Sequence, residues 1–291
     1  MTTTVATIAE ARSMLDQARA GGATAGLVPT MGFLHAGHRS LMDRVVAERD
    51  ITMVTLFVNP LQFAANEDLG SYPRDIERDT AMCEAAGIDL LLIPSVEEMY
   101  PFGVPTLTSV SVSEISASME GASRPTHFAG VATVVAKLFA IAGPCAAYFG
   151  EKDWQQLAVV RRMAADLSFP VDVVGCPTVR ESDGLAMSSR NTYLSAEERA
   201  VAPVLNAALR AGAYDIAAGE RDAGKVRELV ADLVRAEPLA ELDYAEVVDA
   251  ATLRTVQPLA GEVRLLAAAR FGRARLIDNV GAVVPAVESH E

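Results

Sequence analysis

Leu27–Leu41 reads LVPTMGFLHAGHRSL. Leu27 and Val28 close a short apolar strand pattern that Pro29 is expected to end, and Gly32 and Gly37 loosen the turn behind it. Past His35 the residues Leu41, Met42, Val45 and Val46 recur at helical spacing, which predicts a helix from about Gly37 to Arg49. Two histidines three apart, His35 and His38, then stand together at the helix's amino end. Unpaired backbone N–H groups and the helix dipole make such an end attractive to anions. Two imidazoles add donors that can follow charge onto a phosphate oxygen. The stretch is a candidate site for chemistry at a nucleotide phosphate.

A His-x-x-His pair taken alone more often caps and packs a helix start. Zinc fits poorly, because the familiar helical metal pair is i,i+4 with a further ligand. Here the spacing is i,i+3, and His127 and His290 lie far away without a matching signature. Strand, Pro-Thr-Met-Gly turn, H-A-G-H and helix together are much more specific. This T/H-x-G-H arrangement resembles the nucleotidylyltransferase superfamily, whose members make or break bonds at the α-phosphate of ATP.

The 291 residues suit about two domains at ~150 residues each, and 51% hydrophobic residues can bury a large core. No run of ~18 or more uncharged apolar residues suggests a membrane span. The start, MTTTVATIAEARSMLD, lacks a basic segment followed by an apolar one, so no signal peptide is expected. Cys83, Cys145 and Cys176 are far apart without metal spacing and read as small buried hydrophobes of a reducing cytoplasm. A formal charge of −13 argues against a nucleic-acid partner, and an anionic substrate must be drawn by a local basic site.

Along the chain, Met1–Gly22 reads as a helix feeding a first strand at Ala25–Val28. Ile51–Val58 is an almost unbroken apolar run, as in a parallel strand covered on both faces. Asn59, Pro60, Gln62 and Phe63 follow at its carboxyl end, where open α/β sheets place their ligands. A loop, NEDLGSYPRD, leads to a helix at Ile76–Ala86 and a third run at Ile88–Ile93. Pro94–Arg124 reads as short irregular pieces. A helix at Gly130–Ala142, a strand at Ala146–Phe149, a helix from Asp153 to Leu167 and a strand at Val171–Val179 complete a doubly wound pattern. The boundary falls at RESDGLAMSSRN. Beyond it come two alanine-rich helices, Ser195–Ala218 and Asp222–Arg235, then strands at Leu242–Val248, Glu262–Ala269 and Ala274–Asp278, with a hairpin turn at Arg270–Arg273. The expected fold is α/β: a Rossmann-like doubly wound parallel sheet over residues 1–180, a smaller α+β domain over 181–284, and an unstructured tail over 285–291.

Two further stretches carry candidate chemistry. In GEKDWQQL, Lys152 can bind phosphate as a point charge, and Asp153, at the expected helix start, can accept from ribose hydroxyls. A surface lysine beside a capping aspartate is the plainer alternative. Gln155 and Gln156 read as surface residues, one of them facing the same crevice. In MSSRN, behind a flexible DGLA, Ser188 and Ser189 offer hydroxyls and Arg190 a fork of donors for phosphate; alone, it reads as the cap region before the Ser195 helix.

PTMGFLHAGH, FVNPLQF, YPRD, RPTHFAGV, FGEKDWQQL and DGLAMSSRNTYLS occur in that order. The series resembles the pantoate–β-alanine ligase (pantothenate synthetase) family from about Leu27 to Asn279. Small departures are Ala36, where the family often has an acidic residue, Trp154, where tyrosine is common, and Arg190 as the only positive charge of a usually lysine-rich loop.

The resemblance implies a two-step reaction. Pantoate's carboxylate attacks the α-phosphorus of Mg-ATP to give pantoyl adenylate and pyrophosphate, and the amine of β-alanine then releases pantothenate and AMP. It implies catalytic roles for His35, His38, Lys152, Ser188, Ser189 and Arg190. ATP contacts are implied at Pro29, Thr30, Met31, His38, Gly150, Lys152, Asp153, Val179, Met187 and Ser188–Arg190, with Gly150 and Asp153 on the ribose. Met31, Gln62, Phe63 and Gln156 are implied to bind pantoate, and Asp79 is the candidate for the Mg2+ environment. A cytoplasmic homodimer through the amino-terminal domain, with the small domain as a lid, is the further expectation. Two other readings stand beside it. A nucleotidyltransferase acting on a phosphorylated acceptor would need another basic cluster, against which the paired glutamines argue. A non-catalytic nucleotide-binding regulator would not need both histidines and the MSSR group.

Overall fold

Apolar runs without polar alternation pair here as parallel strands, as a sheet covered on both faces requires. In the computed structural model, which describes residues 1–63, 69–70 and 72–285, the first unit alternates strand and helix. It contains β1 (Thr3–Val5), α1 (Ile8–Ala20), β2 (Ala25–Thr30), α2 (Ala36–Glu48), β3 (Ile51–Leu56), α3 (Ile76–Ala86) and β4 (Leu90–Leu92). Two short helices follow, α4 (Val96–Met99) and α5 (Glu120–Ser123). Then come α6 (His127–Ala142), β5 (Cys145–Gly150), α7 (Trp154–Asp166) and β6 (Val171–Cys176). All neighbouring strands are parallel, in the order β1-β4-β3-β2-β5-β6.

The order reverses between β2 and β5. Successive strands run outward from β2 through β3 to β4 on one side and from β5 to β6 on the other. The pairing of β2 with β5 is short, Gly26 with Ala146 and Leu27 with Ala147. Beyond Leu27 the two strands are no longer laddered to each other, and open α/β sheets bind ligands at such a switch point. The HAGH stretch leaves the carboxyl end of β2 there.

Several expectations need correction. β1 lies outside the expected pattern; three residues are too few to show a period, and its pairing of Thr3–Val5 with Leu90–Leu92 makes it a strand. β2 runs through Pro29 to Thr30. It does so because β5 pairs with it only as far as Leu27, so the missing proline N–H costs no ladder bond on that side. Val46 is exposed, and α2 packs through Leu41, Met42 and Val45. The irregular segment after β4 is fastened by Gln155, which is buried, not on the surface. Its Oε1 accepts from Glu120 N at 3.0 Å, and its Nε2 donates to the carbonyls of Ile115 at 2.7 Å and Ser118 at 2.9 Å.

The second unit comprises the chain from Thr178 onward together with Lys152–Trp154; the remainder up to Pro177 forms the first. Its expected first helix is two, α8 (Ala196–Val201) and α9 (Val204–Ala217), because Pro203 has no N–H to continue the ladder. With α10 (Ala223–Arg235) they cover an antiparallel sheet of β7 (Glu241–Asp249), β8 (Glu262–Phe271) and β9 (Ala274–Val283), in that order. Leu209, Ile216, Val226 and Val230 pack with Leu265, Ala267 and Phe271 of the central strand. Each such large side chain, fully buried, stabilises by about 1.5–3 kcal/mol. The expected hairpin turn is Gly272–Arg273.

No cysteine is in a disulfide. Burial pushes the thiols of Cys83 and Cys145 up to about 12 and raises that of Cys176, so none is a thiolate nucleophile near neutral pH. Among the described residues, no helix is long and apolar enough to cross a membrane. Most of the expected tail, and residues 66–68 and 71 of the expected loop, lie outside the described residues.

Candidate active site

The turn between β2 and α2 is held from both sides. Thr30 Oγ1 donates to the carbonyl of Thr55 at 2.7 Å and accepts from Gly32 N at 3.2 Å. Gly32 has φ +86, which a side chain rarely adopts. Phe33 follows at φ +51, and its N–H and that of Leu34 both donate to Asp79 at 2.7 Å. From the neighbouring position on α3, Arg78 donates to the Leu34 carbonyl at 2.8 Å and lies over the Phe33 ring. Asp79 is 1% exposed. Both carboxylate oxygens accept from N–H donors, so Asp79 clamps the turn, a role its sequence position did not show. Among the described residues, no group of three His, Cys, Asp or Glu is placed to hold a metal ion.

The clamp delivers His35 as the N-cap of α2. Its Nδ1 accepts from Gly37 N at 3.1 Å, and Nδ1 of His38, one turn on, accepts from His35 N at 3.3 Å. An accepting Nδ1 assigns the proton of each neutral ring to Nε2. The rings lie 4.1 Å apart between centroids. Capping and phosphate chemistry are therefore not alternatives: one nitrogen of each ring fixes the helix start, and the other carries an N–H suited to an anion.

The residues expected around pantoate are built on the turn after β3. Asn59 caps a single 3-10 turn, Pro60–Gln62, in which Pro60 takes the first position. Gln62 is buried: its Oε1 accepts from Asn59 Nδ2 at 3.2 Å, and its Nε2 donates to Met31 Sδ at 2.8 Å. Met31 and Gln62 are thus brought together. Phe63 packs edge-on against Tyr72. Gln156 is half-buried on the first turn of α7, and no hydrogen bond joins it to Gln62 among the described residues. Tyr100, Arg124 and His127 are supports of this turn to which the sequence assigned no role. Asn59 also bonds Tyr100 and the Gly130 carbonyl, and Arg124 and His127 reach the Gln62 carbonyl at 3.3 and 3.1 Å. Gly130 is required by close approach, since a Cβ there would sit 2.2 Å from the Leu61 carbonyl oxygen. The Asn-Pro pair was the available signal, as a cap followed by a first-turn proline.

In the second unit, Lys152 is mostly buried and lies 3.5 Å from Asp153. Its carbonyl accepts from Asn279 Nδ2 at 2.8 Å. Trp154 donates to the Ala250 carbonyl at 3.0 Å and stacks under the Arg264 guanidinium at 3.7 Å. The segment expected to be flexible is a tight hairpin: Met187 N donates to Val179 O, Arg180 bridges Ala186, and Glu181 N donates to Leu185 O. Arg180 locks it by a two-pronged pair with buried Asp278 at 2.6 and 2.8 Å. Ser188 caps the next turn by accepting from Arg190 N at 3.2 Å, presenting Ser188–Arg190 at a helix start.

A family model described as pantoate-beta-alanine ligase matches residues 3–281. The chain belongs to the pantoate–β-alanine ligase family. It is 53% identical over 265 residues to the pantothenate synthetase of Heliobacterium modesticaldum, covering 91% of this chain and 93% of that one. Among solved structures, pantothenate synthetase from Thermus thermophilus matches with TM-score 0.90 at 49% identity, over 98% of this chain and 100% of that one. Pantoate-beta-alanine ligase from Francisella tularensis, complexed with beta-gamma ATP and beta-alanine, matches with TM-score 0.76 at 31% identity, over 96% and 97%. The chain is thus an enzyme of the pantoate–β-alanine ligase family and shares its fold.

Proposed function

We propose that the chain condenses pantoate with β-alanine through an enzyme-bound pantoyl adenylate. The observation that carries the adenylation step is the paired imidazoles at the start of α2. Each has Nδ1 fixed on a backbone N–H and an Nε2–H suited to a phosphate oxygen. In the first step a pantoate carboxylate oxygen bonds the α-phosphorus and pyrophosphate leaves with the bridging oxygen's electron pair. His35 and His38 stabilise the charge that builds there, and Lys152, Ser188, Ser189 and Arg190 hold the phosphates. Pro29, Thr30, Met31, Val179 and Met187 contact the nucleotide. Gly150, where an added Cβ would meet nothing within 4 Å, and Asp153 take the ribose. In the second step the β-alanine nitrogen bonds the acyl carbon and AMP leaves. Adenylation is needed because a free carboxylate is a poor acyl donor. Magnesium enters as part of the nucleotide substrate, with no carboxylate of the chain assigned to it.

Isotope exchange tests the order of events. Labelled pyrophosphate should enter ATP when pantoate is present and β-alanine is absent. Exchange that requires β-alanine would remove the separate adenylation step, and ADP as product would overturn the reading.

Gln62 and Gln156 are proposed to read pantoate. Neutral amides suit two hydroxyls and leave the attacking carboxylate reactive, whereas an arginine clamp would stabilise the ground state. Gln62→Ala is expected to lower the specificity constant for pantoate by about 1–3 kcal/mol, with the KM for ATP nearly unchanged. Discrimination against an analogue lacking one hydroxyl should narrow. Equal losses for ATP and pantoate in steady-state kinetics would make Gln62 a support only.

A cytoplasmic homodimer through the first unit belongs to the same proposal. Fully exposed Phe102 and Leu107 supply apolar surface on that unit. Light scattering should give twice the chain mass, and Phe102→Asp with Leu107→Asp should lower it; a wild-type monomer at micromolar concentration would rule the dimer out.

A further inference from the structure

Two segments of the second unit hold the proposed phosphate ligands, and 24 residues separate Lys152–Trp154 from the hairpin that begins at Val179. Neighbouring residues of β9 tie down both. Asp278, 5% exposed, receives both prongs of Arg180 and so fixes the hairpin that leads into Ser188–Arg190. Asn279, 3% exposed, donates to the Lys152 carbonyl at 2.8 Å, and its Oδ1 accepts from Arg264 Nε at 2.6 Å. Arg264 in turn stacks on Trp154, two residues from the lysine. The pair is itself rigid, since Asn279 N donates to Asp278 Oδ1 at 2.7 Å and Arg180 reaches the Asn279 carbonyl at 3.3 Å. A β-strand fixes adjacent residues far more closely than two loops fix each other.

We propose that Asn279 is a positioning residue for Lys152: with Asp278 it sets the spacing between the lysine ammonium and the donors of Ser188–Arg190, so that both engage one polyphosphate. This rests on the phosphate roles given above. A lysine whose backbone is displaced by a fraction of an ångström still binds ATP but meets the transition state poorly. The loss therefore falls on turnover more than on KM.

The test is a double-mutant cycle in the pyrophosphate-exchange assay, with melting curves for every variant. Asn279→Ala should slow exchange about tenfold or more, with less than about threefold change in the KM for ATP. In a Lys152→Ala background the same change should cost less than about threefold, because the group being positioned is gone. Asn279→Asp keeps an acceptor for Arg264 but turns a carboxylate oxygen toward the Lys152 carbonyl, so the donor is replaced by repulsion. It covers the case in which the alanine variant does not fold, and should show the same dependence on Lys152. Losses that simply add in the two backgrounds, or full exchange in a folded Asn279→Asp, would overturn the proposal while leaving the functional reading intact. A wild-type chain that forms no AMP from ATP, pantoate and β-alanine would overturn the reading and the positioning role together.

Discussion

His38→Ala is expected to lower turnover by about two to three powers of ten, the usual loss when one preorganised donor to a developing charge is removed. Stability should fall as well, by about 0.5–2 kcal/mol, because Nδ1 of His38 accepts from the backbone at the helix cap. An alanine variant alone therefore mixes two effects. His38→Asn separates them: its side-chain oxygen takes the place of Nδ1 and can keep the cap, but nothing replaces Nε2–H. It should melt close to wild type and remain as slow as the alanine variant. A His38→Asn enzyme with near-normal turnover would leave the histidine as a cap and nothing more.

Asp79 is where the structure changes the reading most, and its replacement should have the largest effect on stability. Asp79→Ala leaves the N–H groups of Phe33 and Leu34 without their acceptor in a buried turn. At about 1–3 kcal/mol for each unmet donor, the expected cost is about 2–6 kcal/mol, set against a typical total of about 5–15 kcal/mol. Asparagine should not rescue it, since it keeps one acceptor but turns a donor toward the other N–H. Below the melting temperature, turnover should also drop by about tenfold or more, because the turn aims both histidines. Raising the Mg2+ concentration distinguishes this from the metal role first expected of Asp79. Recovery of activity with added magnesium would restore that role, and the clamp predicts none.

The alternation of strands and helices was legible from the residues alone, because burial on both faces leaves an apolar run that local patterning can register. Ile76–Ala86 is a helix at its expected bounds, and α2 starts one residue from its expected place. The candidate residues His35, His38, Lys152 and Ser188–Arg190 were legible for a related reason. Each lies in a contiguous motif at an element boundary, so chemistry and position are written together. Partnership across the chain was not legible. Asp79 is 46 residues from Phe33, Gln155 is 40 from Ile115, and Asn279 is 127 from Lys152. Each looks like an ordinary polar surface residue until its partner is brought to it. Folding brings Asp79 to the backbone of the β2–α2 turn and Gln155 to the irregular segment. Folding likewise groups Lys152 with the unit that carries Ser188–Arg190. A buried polar side chain is defined by the donor or acceptor that satisfies it, and which group that is follows from the packing of distant elements.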